Sequence, residues 1–232
     1  RDLCLGTAVS DTDVQLVTFV ASFREVAPWA DLILFVDARS NDARREGIIE
    51  KYGIEVLRFN PEELLPEMLR RYHTSSYRWI QIQNFLDTRG FNYDRVMMVD
   101  IGDTLFQEDP FDIIRAPGRR GGLYAFAADH PIGWYPEIIG GINDCLGSSV
   151  VSGVIELPNL YSGVTMGTTS SAAAYARFMS TKLISPEFQS CEREGVDQGL
   201  HNYLLHAGNL GTVQMFDQKS GPLVDMKVGE SI

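Results

Sequence analysis

Three short apolar runs, Leu3 to Val9, Asp31 to Val36 and Ile54 to Phe59, alternate with stretches whose apolar residues are spaced as on a helix. No other feature limits the fold as strongly. After Ser10 and Asp11 close the first run, Val14, Val17, Phe19, Val20 and Phe23 take helical spacing, and Asn41 to Tyr52 carries Ile48, Ile49 and Tyr52 before Gly53 stops it. Strands apolar at successive positions are buried on both faces, so the chain opens as a doubly wound α/β unit with a mainly parallel sheet flanked by helices. A loop or helical turn at Asn60 to Pro66, a helix at Ser75 to Thr88 broken by Gly90, and the strand RVMMV (Arg95 to Val99) extend the pattern.

After Phe111 the pattern loosens. Leu123 to Ala128 reads as a strand, Asp129 to Ser152 as a long Gly- and Pro-containing loop, Ser170 to Leu183 and Val196 to His206 as helices, and Leu210 to Phe216 as a late strand. No repeat or linker interrupts residues 1–232, so one domain is expected, with a regular half at 1–111 and a more irregular half at 112–232.

A chain of 232 residues can remove roughly 70% of its unfolded surface from water, and so needs neither disulfides nor a structural metal to fold. Its net charge of -11 repels phosphate polymers and anionic bilayers, which argues against a nucleic-acid partner. No apolar run approaches the ~20 residues of a membrane span. The chain starts at Arg1 rather than Met, which reads as a trimmed domain and leaves localisation open between the Golgi lumen and the cytoplasm. Cys4, Cys145 and Cys191 show no C-x-x-C spacing and read as buried thiols, with a Cys145–Cys191 disulfide left open for an oxidising compartment.

The segment RVMMVDIGDTLFQEDPF (Arg95 to Phe111) puts Asp100 at the C-terminal end of a buried strand, where open α/β sheets bind ligands. On a straight strand Asp100 and Asp103 would face opposite ways, but Gly102 lets the chain turn so that both carboxylates can converge. Two hard oxygen ligands suit Mg²⁺ or Mn²⁺ bridging a diphosphate. Capping of the following turn explains the same acids without a metal. V-D-I-G-D-T-L also invites comparison with haloacid-dehalogenase-type phosphatases, in which the first Asp is a nucleophile. Against that, Gly102 displaces the second acid by one residue, about 95 residues of α/β pattern precede the strand, and no later G-D-x-x-x-D follows.

Four stretches together resemble the nucleotide-sugar-dependent glycosyltransferases of the GT-A fold. LGTAVS and FVDARS are similar to strands around the nucleotide pocket; YDRVMMVDIGDTLFQEDPF is similar to the acidic metal-binding stretch, with Gly102 where an Arg is common. NLYSGVTMGT (Asn159 to Thr168) resembles the N-S-G-x-x-x-G segment beside the donor sugar, and GVDQGLHNYLLH (Gly195 to His206) the D-Q-x-x-x-N helix whose acid approaches the reacting centre. The resemblance implies a Rossmann-like GT-A sheet with a nucleotide-binding half at 1–111 and an acceptor and catalytic half at 112–232. It implies a metal-dependent transfer of a hexose-type sugar from a nucleotide-diphosphate donor, a UDP-sugar foremost, to a glycan or glycoconjugate. Thr7, Ala8, Val9, Asp37, Arg78, Asp100, Ser162, Gly163 and Gln198 would then contact the donor, Asp100 and Asp103 the metal, and Asp197 the reacting centre. A phosphatase using Asp100, or a sugar-binding module without turnover, are the alternatives.

The chemistry makes matching demands. A sugar–phosphate bond breaks when the departing diphosphate is neutralised, the donor is held in place and a carboxylate lies near the anomeric carbon. Gly163 allows close approach and Ser162 offers a hydroxyl, although a tight turn before the Ser170 helix would use the same residues. Asp197 sits near a helix start, where the dipole favours a carboxylate whether or not it is catalytic. Arg78 on the preceding helix would offset negative charge, or simply be an exposed helical Arg. Trp134 and Tyr135, between Asp129 and Glu137, are the acceptor candidates, because aromatic faces stack on sugars; a loop anchored by a buried Trp is the plainer explanation. D-Q pairs after N-x-G segments include retaining enzymes, which is where the resemblance leans. It also places a third metal ligand, a His, near the C-terminus; none follows Phe216, so that ligand is expected beyond Ile232, the alternative being water that completes the shell. His73 and His130 read as surface or loop residues.

Overall fold

The computed structural model describes residues 1–8, 12–38, 43–63, 67–116, 121–218 and 222. In the first half, β1 (Asp2–Ala8), α1 (Asp13–Val26), β2 (Asp31–Asp37), α2 (Ala43–Lys51), β3 (Glu55–Phe59), α3 (Thr74–Arg89) and β4 (Arg95–Asp100) follow the alternation read from the sequence. The second half contains α4 (Asp112–Arg115), β5 (Leu123–Pro131), α5 (Pro136–Leu146), α6 (Ser148–Val154), β6 (Pro158–Thr168), α7 (Thr169–Leu183), α8 (Pro186–Gln189), α9 (Val196–His206) and β7 (Val213–Phe216).

The seven strands form one sheet in the order β3-β2-β1-β4-β6-β5-β7. β3, β2, β1 and β4 are parallel, β5 and β7 pair in parallel, and β6 runs antiparallel to both β4 and β5. Alternate strand residues serve two cores. Leu3, Leu5, Ile33, Phe35, Val96 and Met98 pack with α3, α7 and α9, whereas Cys4, Leu32, Leu34, Met97 and Val99 pack with Leu16, Phe19, Val20 and Phe23 of α1. Burial on both sides is why these strands lack polar alternation.

Two sequence expectations are corrected. The segment Asp129 to Ser152 is not a long loop: it ends β5, turns at Ile132–Trp134 and forms α5 and most of α6. Pro136 occupies the first turn of α5, where a missing N–H costs nothing, and Ile138, Ile142 and Cys145 bury one face. NLYSGVTMGT, for which a tight turn is the alternative reading and no strand is expected, is the body of β6, inserted between β4 and β5.

Candidate active site

β4 ends at Asp100 and the chain turns at once. The Thr104 hydroxyl donates to the Asp100 carbonyl at 2.6 Å, and the Gln15 side-chain amide of α1 donates to the Gly102 carbonyl at 2.7 Å. Asp100 follows Val96 and Met98 on the α3 side of the sheet, opposite Thr7 of β1 in register. From α3, Arg78 donates Nη1 to Asp100 Oδ1 and Nη2 to Asp197 Oδ2, the latter at 2.9 Å. Asp197, second residue of α9, is 2% exposed, and Gly195 ahead of it takes the left-handed backbone, φ 80°, that turns the chain into the helix. One guanidinium thus joins acids that are 97 residues apart in sequence. Trp79 Nε1 lies 3.4 Å from the same Asp197 oxygen, and the Arg78 guanidinium carbon lies 5.0 Å from the Trp79 ring centre.

Opposite this cluster, β6 presents Ser162 and Gly163. A side chain at 163 would place its Cβ 3.2 Å from Asp100 Oδ2, so the close approach that Gly163 permits is that of the Asp100 carboxylate. Gln198 Oε1 accepts from the Ser162 backbone N–H at 2.8 Å, while its Nε2 donates to Asn159 Oδ1 at 3.0 Å and to the Leu160 carbonyl. Asn202, one turn on, accepts from the Leu160 N–H at 2.8 Å and donates to Asn159 Oδ1 at 3.0 Å. The β4 ladder reaches only Val164, so these two amides take the place of a neighbouring strand for residues 160–162. The D-Q-x-x-x-N spacing is therefore also a latch between α9 and β6.

The structure gathers Thr7, Arg78, Asp100, Ser162, Gly163, Asp197 and Gln198 at the C-terminal edge of β1 and β4. Other expected residues lie apart. Ala8 faces the other core with Leu16, Leu34 and Val36, and Asp37 is buried at the end of β2, two strands from β4. Val9 lies outside the described residues. Trp134 is 67% exposed and stacks on His130 with ring centres 4.2 Å apart, whereas Tyr135 packs on the Ile132–Ile138 cluster. Asp129 and Glu137 beside them are exposed. His73 caps α3, accepting from the Ser75 N–H.

Asp103 is exposed in the turn after β4. Among the described residues, no group of three His, Cys, Asp or Glu side chains could hold a metal ion. Mg²⁺ is ordinarily held by one or two carboxylates while phosphate and water oxygens complete its shell. Of the two acids expected to hold such an ion, Asp100 lies at the sheet edge paired with Arg78, and Asp103 lies in the exposed turn three residues on.

Trp79 and Tyr175 are the contributors that motif reading did not single out, the local signal being the Arg-Trp pair on one helix; Asn202 closes the D-Q-x-x-x-N motif, which gives it no role of its own. Behind Asp197, His201 is wholly buried, with Nδ1 2.6 Å from the Tyr175 hydroxyl and Nε2 unpartnered. Burial first, with help from the positive charges of Arg78 and His206, pushes this imidazole down to about 3. Between pH ~6.5 and that value the unfolded chain binds a proton that the folded one refuses, so stability present above pH 6.5 is lost as pH falls, by about 1.4 kcal/mol per unit. Urea unfolding at pH 6.5 and pH 5 should differ by roughly 2 kcal/mol more in the parent than in His201→Gln; equal pH slopes would refute this.

No protein-family profile and no curated protein sequence matches the chain. Solved structures do match: the sheet and flanking helices are those of the GT-A fold. The chain is similar to the galactosyltransferase LgtC in complex with donor and acceptor sugar analogs, at 14% identity and a TM-score of 0.58 over 93% of this chain and 73% of that one. An active-site mutant of LgtC matches at 13% identity and a TM-score of 0.57, over 93% and 72% of the two chains.

Proposed function

We propose that the protein is a glycosyltransferase that moves a hexose-type sugar from a UDP-sugar to a glycan or glycoconjugate hydroxyl. The observation that carries this reading is the Arg78 guanidinium holding Asp100 and Asp197 together at the sheet edge beside Ser162 and Gly163. In the transfer, the bond from the anomeric carbon to the β-phosphate oxygen breaks, the acceptor oxygen bonds that carbon, and the acceptor proton leaves. Arg78 supplies fixed positive charge close to where the diphosphate departs, and costs little reorganisation because both carboxylates already orient it. A divalent ion held by Asp100 and Asp103 would neutralise the remaining phosphate charge. Asp197 faces the reacting centre, with Ser162 and Gln198 beside the sugar, and Thr7 and Asp37 on the nucleotide side. Trp134 and Tyr135 are assigned to the acceptor, with Trp134 offering the exposed ring. The Cys145–Cys191 disulfide favours an oxidising compartment such as the Golgi lumen over the cytoplasm, and no helix among the described residues is long and apolar enough to cross a membrane.

The phosphatase alternative loses its footing, because the Asp100 strand is fourth in the chain and an Arg occupies the carboxylate. The test is calorimetry with UDP, with and without Mn²⁺, in the parent chain and Asp103→Ala, followed by donor hydrolysis in Asp197→Ala. Expected are micromolar UDP binding that needs the ion, loss of that dependence in Asp103→Ala, and loss of hydrolysis in Asp197→Ala. An unbound UDP in both conditions would refute the reading. Binding without hydrolysis of any UDP-sugar would favour the sugar-binding module.

A further inference from the structure

We propose that Trp79 is a positioning residue that fixes which oxygen of Asp197 faces the reaction. The proposal rests on the catalytic role given to Asp197 above. Consecutive residues of a helix point about 100° apart, yet Arg78 Nη2 and Trp79 Nε1 both reach Asp197 Oδ2, at 2.9 and 3.4 Å. Oδ1 is the oxygen that neither donor holds. With Arg78 alone the carboxylate could pivot about a single bond; a second donor on the same oxygen removes that freedom and presents Oδ1 in one orientation.

The indole is itself immobile. It is 1% exposed, its ring meets the Tyr175 ring edge-on at 5.2 Å, and Tyr175 is pinned through its hydroxyl to His201 on α9. Its face also carries the Arg78 guanidinium, so one side chain orders both partners of the buried ion pair. A Phe at 79 would keep the edge-on contact with Tyr175 while losing the second ring and its N–H. The N–H is what the indole adds beyond packing, and it is aimed at the Asp197 carboxylate.

Trp79→Phe keeps the stacking face and deletes the donor. Donor-hydrolysis kcat, measured well below the melting temperature, is expected to fall roughly tenfold to a hundredfold, with the KM for the UDP-sugar within about twofold and the melting temperature lowered by roughly 3–8 °C, the cost of the space the missing ring leaves. A readout independent of turnover is the indole N–H proton resonance of Trp79, identified by its loss in Trp79→Phe. It should shift in Asp197→Asn while those of Trp29 and Trp134, both exposed, stay in place. A resonance unmoved by Asp197→Asn overturns the contact and leaves the glycosyltransferase reading standing. An unchanged kcat, or a fall that merely follows lost stability, overturns the positioning role. Failure of the parent chain to hydrolyse any UDP-sugar, with the resonance shifting as described, sinks the functional reading, and the kinetic half of this proposal with it.

Discussion

Arg78→Met should abolish donor turnover and lower the unfolding free energy by about 3–5 kcal/mol, the penalty for stranding a buried charge. The weight falls on Asp197, whose side chain is 2% exposed and would keep only the long indole contact. Asp100, at 40% exposure, is screened by water and adds little to the loss. On the proposed function turnover suffers twice, because the cation assigned to the departing diphosphate disappears and two carboxylates lose the group that held them side by side. Arg78→Lys separates these effects: it restores one positive charge but not the fork that grips two acids at once. Urea unfolding should therefore place Lys between Met and the parent, with turnover still reduced by at least tenfold. Parent-like stability in Arg78→Met would show that the buried pair is not what holds α3, β4 and α9 together.

The first half of the fold was legible because its signals are local. Apolar runs of strand length, helical spacing after each, and turn residues between them place β1 through β4 to within a residue or two. The second half hides its elements in misleading composition. Gly140 and Gly141 made α5 look like a loop, yet α5 packs closely on α9: a Cβ at Gly199 would sit 3.0 Å from Ile142. β6 escaped because its polar residues, Asn159, Ser162 and Thr165, break up the apolar run; Asn159 and the 160–162 backbone bond to amides of α9, about 40 residues away. Asp100 could be found from its place at a strand end. The Arg78 bridge could not, since nothing in sequence couples position 78 to position 197, and the role of Trp79 depends on that bridge.

Removing the disulfide tests how the second half is held to the first. Cys145 of α5 and Cys191 close a loop of 46 residues, and the double replacement Cys145→Ser, Cys191→Ser should cost ~4 kcal/mol, lowering the melting temperature by roughly 8 °C. The bond belongs to a strap. Within residues 191–193, Arg193 pairs with Asp144 of α5 at 2.7 Å, and Glu192 accepts the His73 backbone N–H at the start of α3 at 2.8 Å. The strap therefore links α5 to the helix that carries Arg78 and leads, four residues after Arg193, to Asp197. Arg193→Ala alone should change stability by less than about 1 kcal/mol, because both partners of that pair are about half exposed. The cysteine replacement should instead depress donor hydrolysis more than UDP affinity, since the proposed nucleotide-side residues, Thr7 and Asp37, lie on β1 and β2 while the slackened segment places Asp197. Reduction of the parent chain with dithiothreitol should reproduce both effects. A double variant that melts within 2 °C of the parent and turns over at the same rate would mean that packing of α5 on α9, not the covalent bond, sets the position of Asp197.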